Sequence, residues 1–271
     1  MRAIPSGCDT TPMPTRSRRT AAIATLLVST LALSLAAAGD ATLPGDVRLA
    51  RWLQAHPIPL AAPLTAFTNL YLSGLPLALA AIALALALLA ARRRDAALLI
   101  ALATAIRATN GLLKPLFDSP RPAPGLVTVT EHATGLGFPS GHAMGATVVI
   151  GALAYLLARP TFPPLRRHGS RPTFSPLPGG EGPGVRAWAR ASKSTASHRT
   201  VALLVLRRAA AIVCLALILL TGYGRILVGA HWPSDVLGGY LWGALLLLLA
   251  IRFSWAVAGR STPGPGPLDR G

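Results

Sequence analysis

The sequence predicts an all-α fold, an integral membrane bundle of about six transmembrane helices. Three observations carry this expectation. Hydrophobic residues make up 52% of the chain and charged residues only 13%, against roughly a quarter charged in soluble domains. Several uncharged runs approach the ~20 residues that a spanning helix needs. Lys and Arg cluster between these runs, with long gaps inside them.

The elements follow in order. A polar tail places Arg16, Arg18 and Arg19 just before an apolar run from Ala21 to Gly39. That is a signal-peptide layout, with small residues "AAAGDA" at 36–41 where cleavage could fall. The run exceeds the ~7–15 residues of a signal core, so residues 1–39 read as a basic tail and an uncleaved first span. Met13 serves as a start as well as Met1, since residues 1–12 add no feature. The chain then emerges outside, and residues 40–72 read as an external connection with an interfacial helix. A second span runs from Leu72 to Ala91, ending at "RRRD", and a third from Ala96 to Leu113. A polar loop from Lys114 to His142 leads into a fourth span, Ala143 to Ala158.

Residues 159–207 are rich in Pro, Gly, Ser and Arg, and contain a short duplication, "RPTFPPL" at 159 and "RPTFSPL" at 171. Such composition buries too little apolar surface to fold alone, so a disordered cytoplasmic insertion is expected. The alternative is a contact for lipid headgroups or a protein. A fifth span covers Ala209 to Tyr223 and a sixth Val236 to Ile251; residues 253–271 read as a disordered tail. The membrane core thus falls into two parts, 40–158 and 208–252.

Charge tests this layout, because cytoplasmic segments are enriched in Lys and Arg. With the N-terminus inside, the only basic residues outside the internal segments are Arg107, within span three, and Arg48, Arg51, Lys114, Arg121 and Arg225. The formal charge of +17 is therefore mostly topology. No basic stretch is interleaved with aromatics as in nucleic-acid binders, so no nucleic-acid partner is expected. Cys8 and Cys214 suggest neither a disulfide framework nor a metal cluster.

The same layout brings three polar clusters to the external face. "KPLFDSPRP" begins at Lys114, "PSGH" at Pro139 and "GRILVGAHWPSD" at Gly224. Each has a bland reading. Lys occurs only at Lys114 and Lys193, and Lys114 alone would be an interfacial anchor whose stem snorkels to headgroups. Ser140 and Gly141 alone would be a helix cap, and Asp235 alone a carboxylate favoured by a helix N-terminus. Together they supply three cations, a helix-start anion site, two histidines, and a carboxylate spaced to orient His231. That set suits phosphoryl transfer without a metal or cofactor. Cations stabilise the equatorial oxygens, one histidine attacks phosphorus, and the other protonates the departing oxygen.

In order and spacing these clusters resemble the signature of the type 2 phosphatidic acid phosphatase superfamily, the lipid phosphate phosphatases. Lys114 precedes Arg121-Pro122 by the expected interval, Pro139-Ser140-Gly141-His142 follows, and Gly224-Arg225, His231 and Asp235 complete the third motif. The likeness covers about residues 40 to 252, the long loop excluded. By position, the resemblance implies that His231 is the nucleophile forming a phosphohistidine, oriented by Asp235, and that His142 is the general acid. It further implies that Lys114, Arg121, Arg225, Ser140 and the Gly141 backbone hold phosphate oxygens, in a metal-free six-helix bundle. Gly224 departs from the pattern, standing where the family usually has Ser, and the 159–207 loop is longer than usual. Glu131 and His132 match no signature position and read as solvated loop residues that could instead shape headgroup choice. Arg107, two turns before Lys114, is an intramembrane charge without an assignable partner.

The expected substrate is a lipid phosphate or diphosphate monoester in the bilayer, with undecaprenyl diphosphate first, and phosphatidylglycerophosphate and phosphatidic acid beside it. The expected setting is a bacterial inner membrane with the site on the periplasmic face. A phosphotransferase acting on an alcohol or glycan acceptor and a non-enzymatic lipid transporter are the alternatives. The transporter has no use for Asp235 or a second histidine. A metal hydrolase built on His142, His231 and Asp235 is weaker, since no HExxH-type pair occurs. Nothing in the sequence specifies an oligomeric state.

Overall fold

A computed structural model describes residues 16–39, 42–159 and 183–260. The described chain forms nine α-helices: α1 (Arg16–Ala37), α2 (Asp46–Ala55), α3 (Ala61–Tyr71), α4 (Gly74–Ala90), α5 (Arg94–Ile106), α6 (Asn110–Phe117), α7 (Gly141–Ala158), α8 (Pro183–Leu227) and α9 (Pro233–Arg260). A single 3-10 turn, Arg107–Thr109, joins α5 to α6. Five segments are long and apolar enough to cross a membrane: Thr20–Ala37, Arg94–Phe117, Gly141–Ala158, Val201–Leu227 and Pro233–Val257. Among the described residues the pair α3 and α4 passes the same test only when taken together, bent by 62°, which makes up to six. The protein is an integral membrane helical bundle of the expected size.

Three boundaries differ from expectation. Residues 40–72 hold two helices where a connection with one interfacial helix is expected, and α3 is half of the bent pair. Ser73 is extended and Gly74 lies at φ +52, a backbone that breaks the helix and redirects it. Lys114 belongs to α6 and not to the loop that follows.

The largest difference concerns 159–207, where α8 already begins at Pro183. Pro suits a first helical turn, and after Gly184 the sequence has no further Gly or Pro until Gly222. Strong helix formers such as Ala, Arg and Leu then carry the helix into the span. The Pro and Gly that suggested disorder are concentrated in 160–184. Likewise α9 continues to Arg260, through residues expected in the tail. The duplication, the end of the tail, Met13 and Cys8 lie outside the described residues.

The core centres on α7, which packs against α5, α8 and α9. Leu99, Ile100, Ala103, Val148, Ile150, Ala152 and Ile218 form its main buried cluster. Close approach of α9 depends on small residues, as membrane helix pairs generally require. A Cβ at Gly239 would lie 2.7 Å from the Ser140 carbonyl, and one at Gly243 2.6 Å from Thr147 Cβ.

Helix α2 ties one end of the bundle together. Arg51 Nε donates to the Leu126 carbonyl at 2.5 Å, and Gln54 exchanges hydrogen bonds with the backbone of Thr128. Asp46 is buried and accepts from the Ser234 amide at 2.9 Å and the Ser234 hydroxyl at 2.6 Å, which anchors the start of α9. Burial pushes the Asp46 carboxyl above its ordinary pKa, against the opposing hydrogen bonds from Ser234. Because the folded pKa is raised, the ionised form is disfavoured in the fold; this group's contribution to stability is largest in acid and is lost as pH rises through the raised value.

Two variants separate the charge from the hydrogen bonds. Asp46→Asn, which keeps an acceptor for Ser234, is expected to leave stability near wild type and to flatten its pH dependence. Asp46→Ala, which leaves Ser234 unpaired, is expected to cost about 1–3 kcal/mol. Thermal unfolding of the detergent-purified protein between pH 4 and 8 checks both; equal destabilisation by the two variants would contradict this account.

Candidate active site

The three clusters converge at one end of the bundle. Lys114 comes from the last turn of α6, Arg121 from the loop after it, and Ser140, Gly141 and His142 from the start of α7. Arg225 comes from the last turn of α8, and His231 and Asp235 from the turn into α9. That last turn reverses the chain over Gly229, at φ +68. A Cβ there would lie 2.3 Å from the Thr128 carbonyl, so the turn and the loop can pack only through glycine.

His231 is buried, and the two sides of its ring are distinguished. Nδ1 lies 3.3 Å from Asp235 Oδ2, which also accepts from the Trp232 amide at 2.9 Å. Nε2 lies 3.2 Å from Arg121 Nη1. A guanidinium can only donate, so Nε2 must present its lone pair and Nδ1 must carry the proton toward Asp235. Burial, reinforced by Arg121, Lys114 and Arg225, holds the His231 pKa well below its ordinary value. The ring is therefore neutral at physiological pH, with the lone pair of Nε2 facing a cation.

The cations are each held by backbone oxygens or a carboxylate. Lys114 Nζ donates to the Leu136 carbonyl and, at 3.3 Å, to that of Gly137. It is an inward group and not a snorkelling anchor. Arg121 donates from Nε to Gly135 at 2.9 Å and from Nη1 to Ala230 at 2.6 Å. Arg225 is fully buried and pairs end-on with Glu131, with both Nη–Oε distances 2.9 Å. Its Nε is left buried without a partner.

Ser140 also differs from the capping reading. It occupies the position before α7 without making a side-chain cap, and its buried Oγ has no partner. Its amide instead donates to the Asp235 carbonyl at 2.9 Å, locking α7 to α9. Behind it, a Cβ on Gly141 would lie 2.8 Å from Asn110 Oδ1, so the start of α7 lies directly against α6. The first-turn amides of α7 have no intrahelical acceptor and open a site for an anion. His142 is half-buried on that turn, within electrostatic reach of Arg225, His231 and Arg121. It lines a polar cavity of about 290 Å³ with Arg107, Asn110 and Gly145.

Residues with matching chemistry thus meet from five separate parts of the chain. A family model of the PAP2 superfamily matches residues 81–258. The chain belongs to the PAP2 superfamily. Among solved structures it is similar to the first transmembrane PAP2-type phosphatidylglycerolphosphate phosphatase, from Bacillus subtilis, with a TM-score of 0.58 at 23% identity. The match covers 87% of this chain and 96% of that one. At that identity the likeness establishes the shared fold. No curated protein matches the sequence. PAP2 membership supports phosphatase activity at a membrane.

Sequence reasoning missed several neighbours of the site. Glu131, read as a solvated loop residue, is the partner of Arg225 and also accepts from Asn69 Nδ2 at 3.1 Å. Asn110 braces the Pro139 carbonyl at 3.1 Å. Arg107, whose partner the sequence could not name, donates to the Gly74 carbonyl at 2.8 Å and packs over Gly145. The unusual position of Glu131 among few acidic residues was the one available signal. Among the described residues no group of three or more His, Cys, Asp or Glu is arranged to hold a metal ion.

Removing Glu131 leaves the Arg225 guanidinium buried without its carboxylate, whereas Glu131 itself is partly exposed. Glu131→Ala is expected to destabilise the PAP2 fold by about 1–3 kcal/mol, and the double variant with Arg225→Met by less than the sum of the singles. Thermal unfolding of the four proteins measures the coupling; strict additivity would mean that the pair is not an energetic unit.

Proposed function

We propose that this protein is a metal-independent membrane phosphatase that hydrolyses a lipid phosphate or diphosphate monoester through a phosphohistidine intermediate. One observation carries the reading: a neutral, buried His231 whose free Nε2 faces Arg121, with its opposite nitrogen on Asp235. An entering phosphoryl group takes the place of that Arg121 contact, its oxygens received by Arg121, Arg225, Lys114 and the Ser140–Gly141 turn. Nε2 attacks phosphorus and forms the P–N bond. The bond from phosphorus to the leaving oxygen breaks, and His142 gives that oxygen its proton. Asp235 stabilises the charge that develops on the ring. Water, assisted by His142, then cleaves the P–N bond, releasing inorganic phosphate and restoring His231.

An apolar-walled cavity of about 810 Å³ adjoins Glu131, lined by Ile58, Leu60, Ala61, Thr65 and Leu227 among others. It gives a lipid chain a place beside the phosphate site. Undecaprenyl diphosphate is the first substrate proposed, acting at the periplasmic face of a bacterial inner membrane. Phosphatidylglycerolphosphate, the substrate class of the structural neighbour, and phosphatidic acid are the comparisons. No single feature favours transfer to an alcohol over transfer to water.

The detergent-purified protein is expected to release phosphate from at least one of these lipids with EDTA present. His231→Ala should abolish release, and acid-quenched enzyme should carry phosphate on histidine in the wild type alone. Retained release in His231→Ala, or loss of activity with EDTA that added metal restores, would overturn the mechanism. The pH profile gives a further check. Because the His231 pKa is lowered, its neutral form persists as pH falls, so the acid limb of kcat/KM attributable to it should lie below the ordinary histidine range near pH 6.5. A wild-type acid limb at or above that value would contradict the assignment.

A further inference from the structure

Thr65, on α3, is an anomaly among the buried threonines. Thr30, Thr68, Thr147 and Thr221 each satisfy their hydroxyl on a carbonyl three or four residues back, the usual arrangement in helices. Thr65 is only 5% exposed, yet its Oγ1 has no partner. A buried hydroxyl left unpaired is costly, so its orientation away from its own helix calls for an acceptor.

Its neighbour identifies that acceptor's place. A Cβ built on Gly224 would lie 3.0 Å from Thr65 Cγ2 and 3.2 Å from Oγ1. The Thr65 side chain thus occupies the space into which a residue-224 side chain would project. The next residue is Arg225, whose Nε is also a buried donor without a partner, its terminal nitrogens being taken by Glu131. One turn along α3, Asn69 holds Glu131 from the same side. Two unpaired donors, a hydroxyl and a guanidinium N–H, therefore flank the Gly224–Arg225 step. Thr65 also lines the cavity beside Glu131.

We propose that Thr65 is a phosphate-binding residue, donating its hydroxyl to a substrate phosphate oxygen beside Arg225 Nε, from the space that a side chain at position 224 would otherwise fill. The inference rests on the phosphatase reading above and adds α3 to the elements that build the site. It makes positions 65 and 224 alternatives: a hydroxyl can come from either one, and a side chain at 224 would crowd Thr65 as it stands.

The test compares Thr65→Val, Thr65→Ser, Thr65→Ala, Gly224→Ser and the double variant Thr65→Ala/Gly224→Ser in the full-length detergent-purified protein. Readouts are kcat/KM for phosphate release from phosphatidic acid and undecaprenyl diphosphate, inhibition by inorganic phosphate, and thermal stability with and without phosphate. Thr65→Val should lower kcat/KM and weaken phosphate inhibition together, by about 10- to 100-fold, with unfolding temperature in the absence of phosphate preserved. Thr65→Ser should stay within about threefold of wild type. Gly224→Ser alone should be impaired by crowding against Thr65, while the double variant should recover most of the activity that Thr65→Ala loses.

Wild-type kinetics and phosphate inhibition in Thr65→Val would overturn the proposal. So would equal losses in Thr65→Val and Thr65→Ser, or a double variant no better than Thr65→Ala. His231→Ala, run in parallel, keeps the two readings apart: release that survives it defeats the phosphohistidine mechanism, whereas release that it abolishes leaves Thr65 to be judged on its own variants. Should neither lipid be turned over, phosphate-dependent thermal stabilisation decides, and equal stabilisation of wild type and Thr65→Val counts against the proposal.

Discussion

Lys114, Arg121 and Arg225 bring three positive charges to the end of a membrane bundle, around a single buried histidine. Isolated cations in such a place would be strongly unfavourable, and most of the local architecture compensates them. The loop between α6 and α7 turns the carbonyls of Gly135, Leu136 and Gly137 toward Lys114 and Arg121. It also supplies Glu131 to Arg225. The loop is held in turn by Arg51 and Gln54 of α2, and by the backbone of Val228. Backbone oxygens carry only partial charge, so the cluster stays electropositive and ready for an anion.

The same cluster determines the state of His231. Cations near the ring disfavour a further positive charge, and Arg121 fixes which nitrogen carries the lone pair. Asp235 is held from both directions, its carboxylate by the Trp232 amide and its carbonyl by Ser140. The orientation of His231 is therefore a property of how α7, α9 and the loop pack together. The glycines at 229, 239 and 243 make that packing possible by removing side chains where backbone meets backbone.

Much of this was legible in the sequence. Lys114, Arg121, Ser140, Gly141, His142, Arg225, His231 and Asp235 stand at spacings that mark them as a set, and the structure brings them together. The apolar runs and the distribution of arginine gave the spans. What misled was averaging composition over a segment: Pro and Gly at 160–184 obscured the helix formers at 185–207, which continue α8. Residues 40–72 misled for a related reason. Their polar and aromatic mixture reads as interfacial, although in the fold α2 grips the loop and α3 faces the site.

Residue types, their spacing along the chain and the periodic placement of charge set the membrane class, the order of the spans and the chemistry available at one face. Those features are local, or repeat along the chain, and so survive in one dimension. The pairing of Glu131 with Arg225, the bracing by Asn110 and Asp46, and the insertion of Thr65 beside Gly224 belong to the tertiary structure alone. Each joins residues from distant parts of the chain, through a side-chain direction or a missing Cβ. Only the packing of helices against one another decides where those atoms meet.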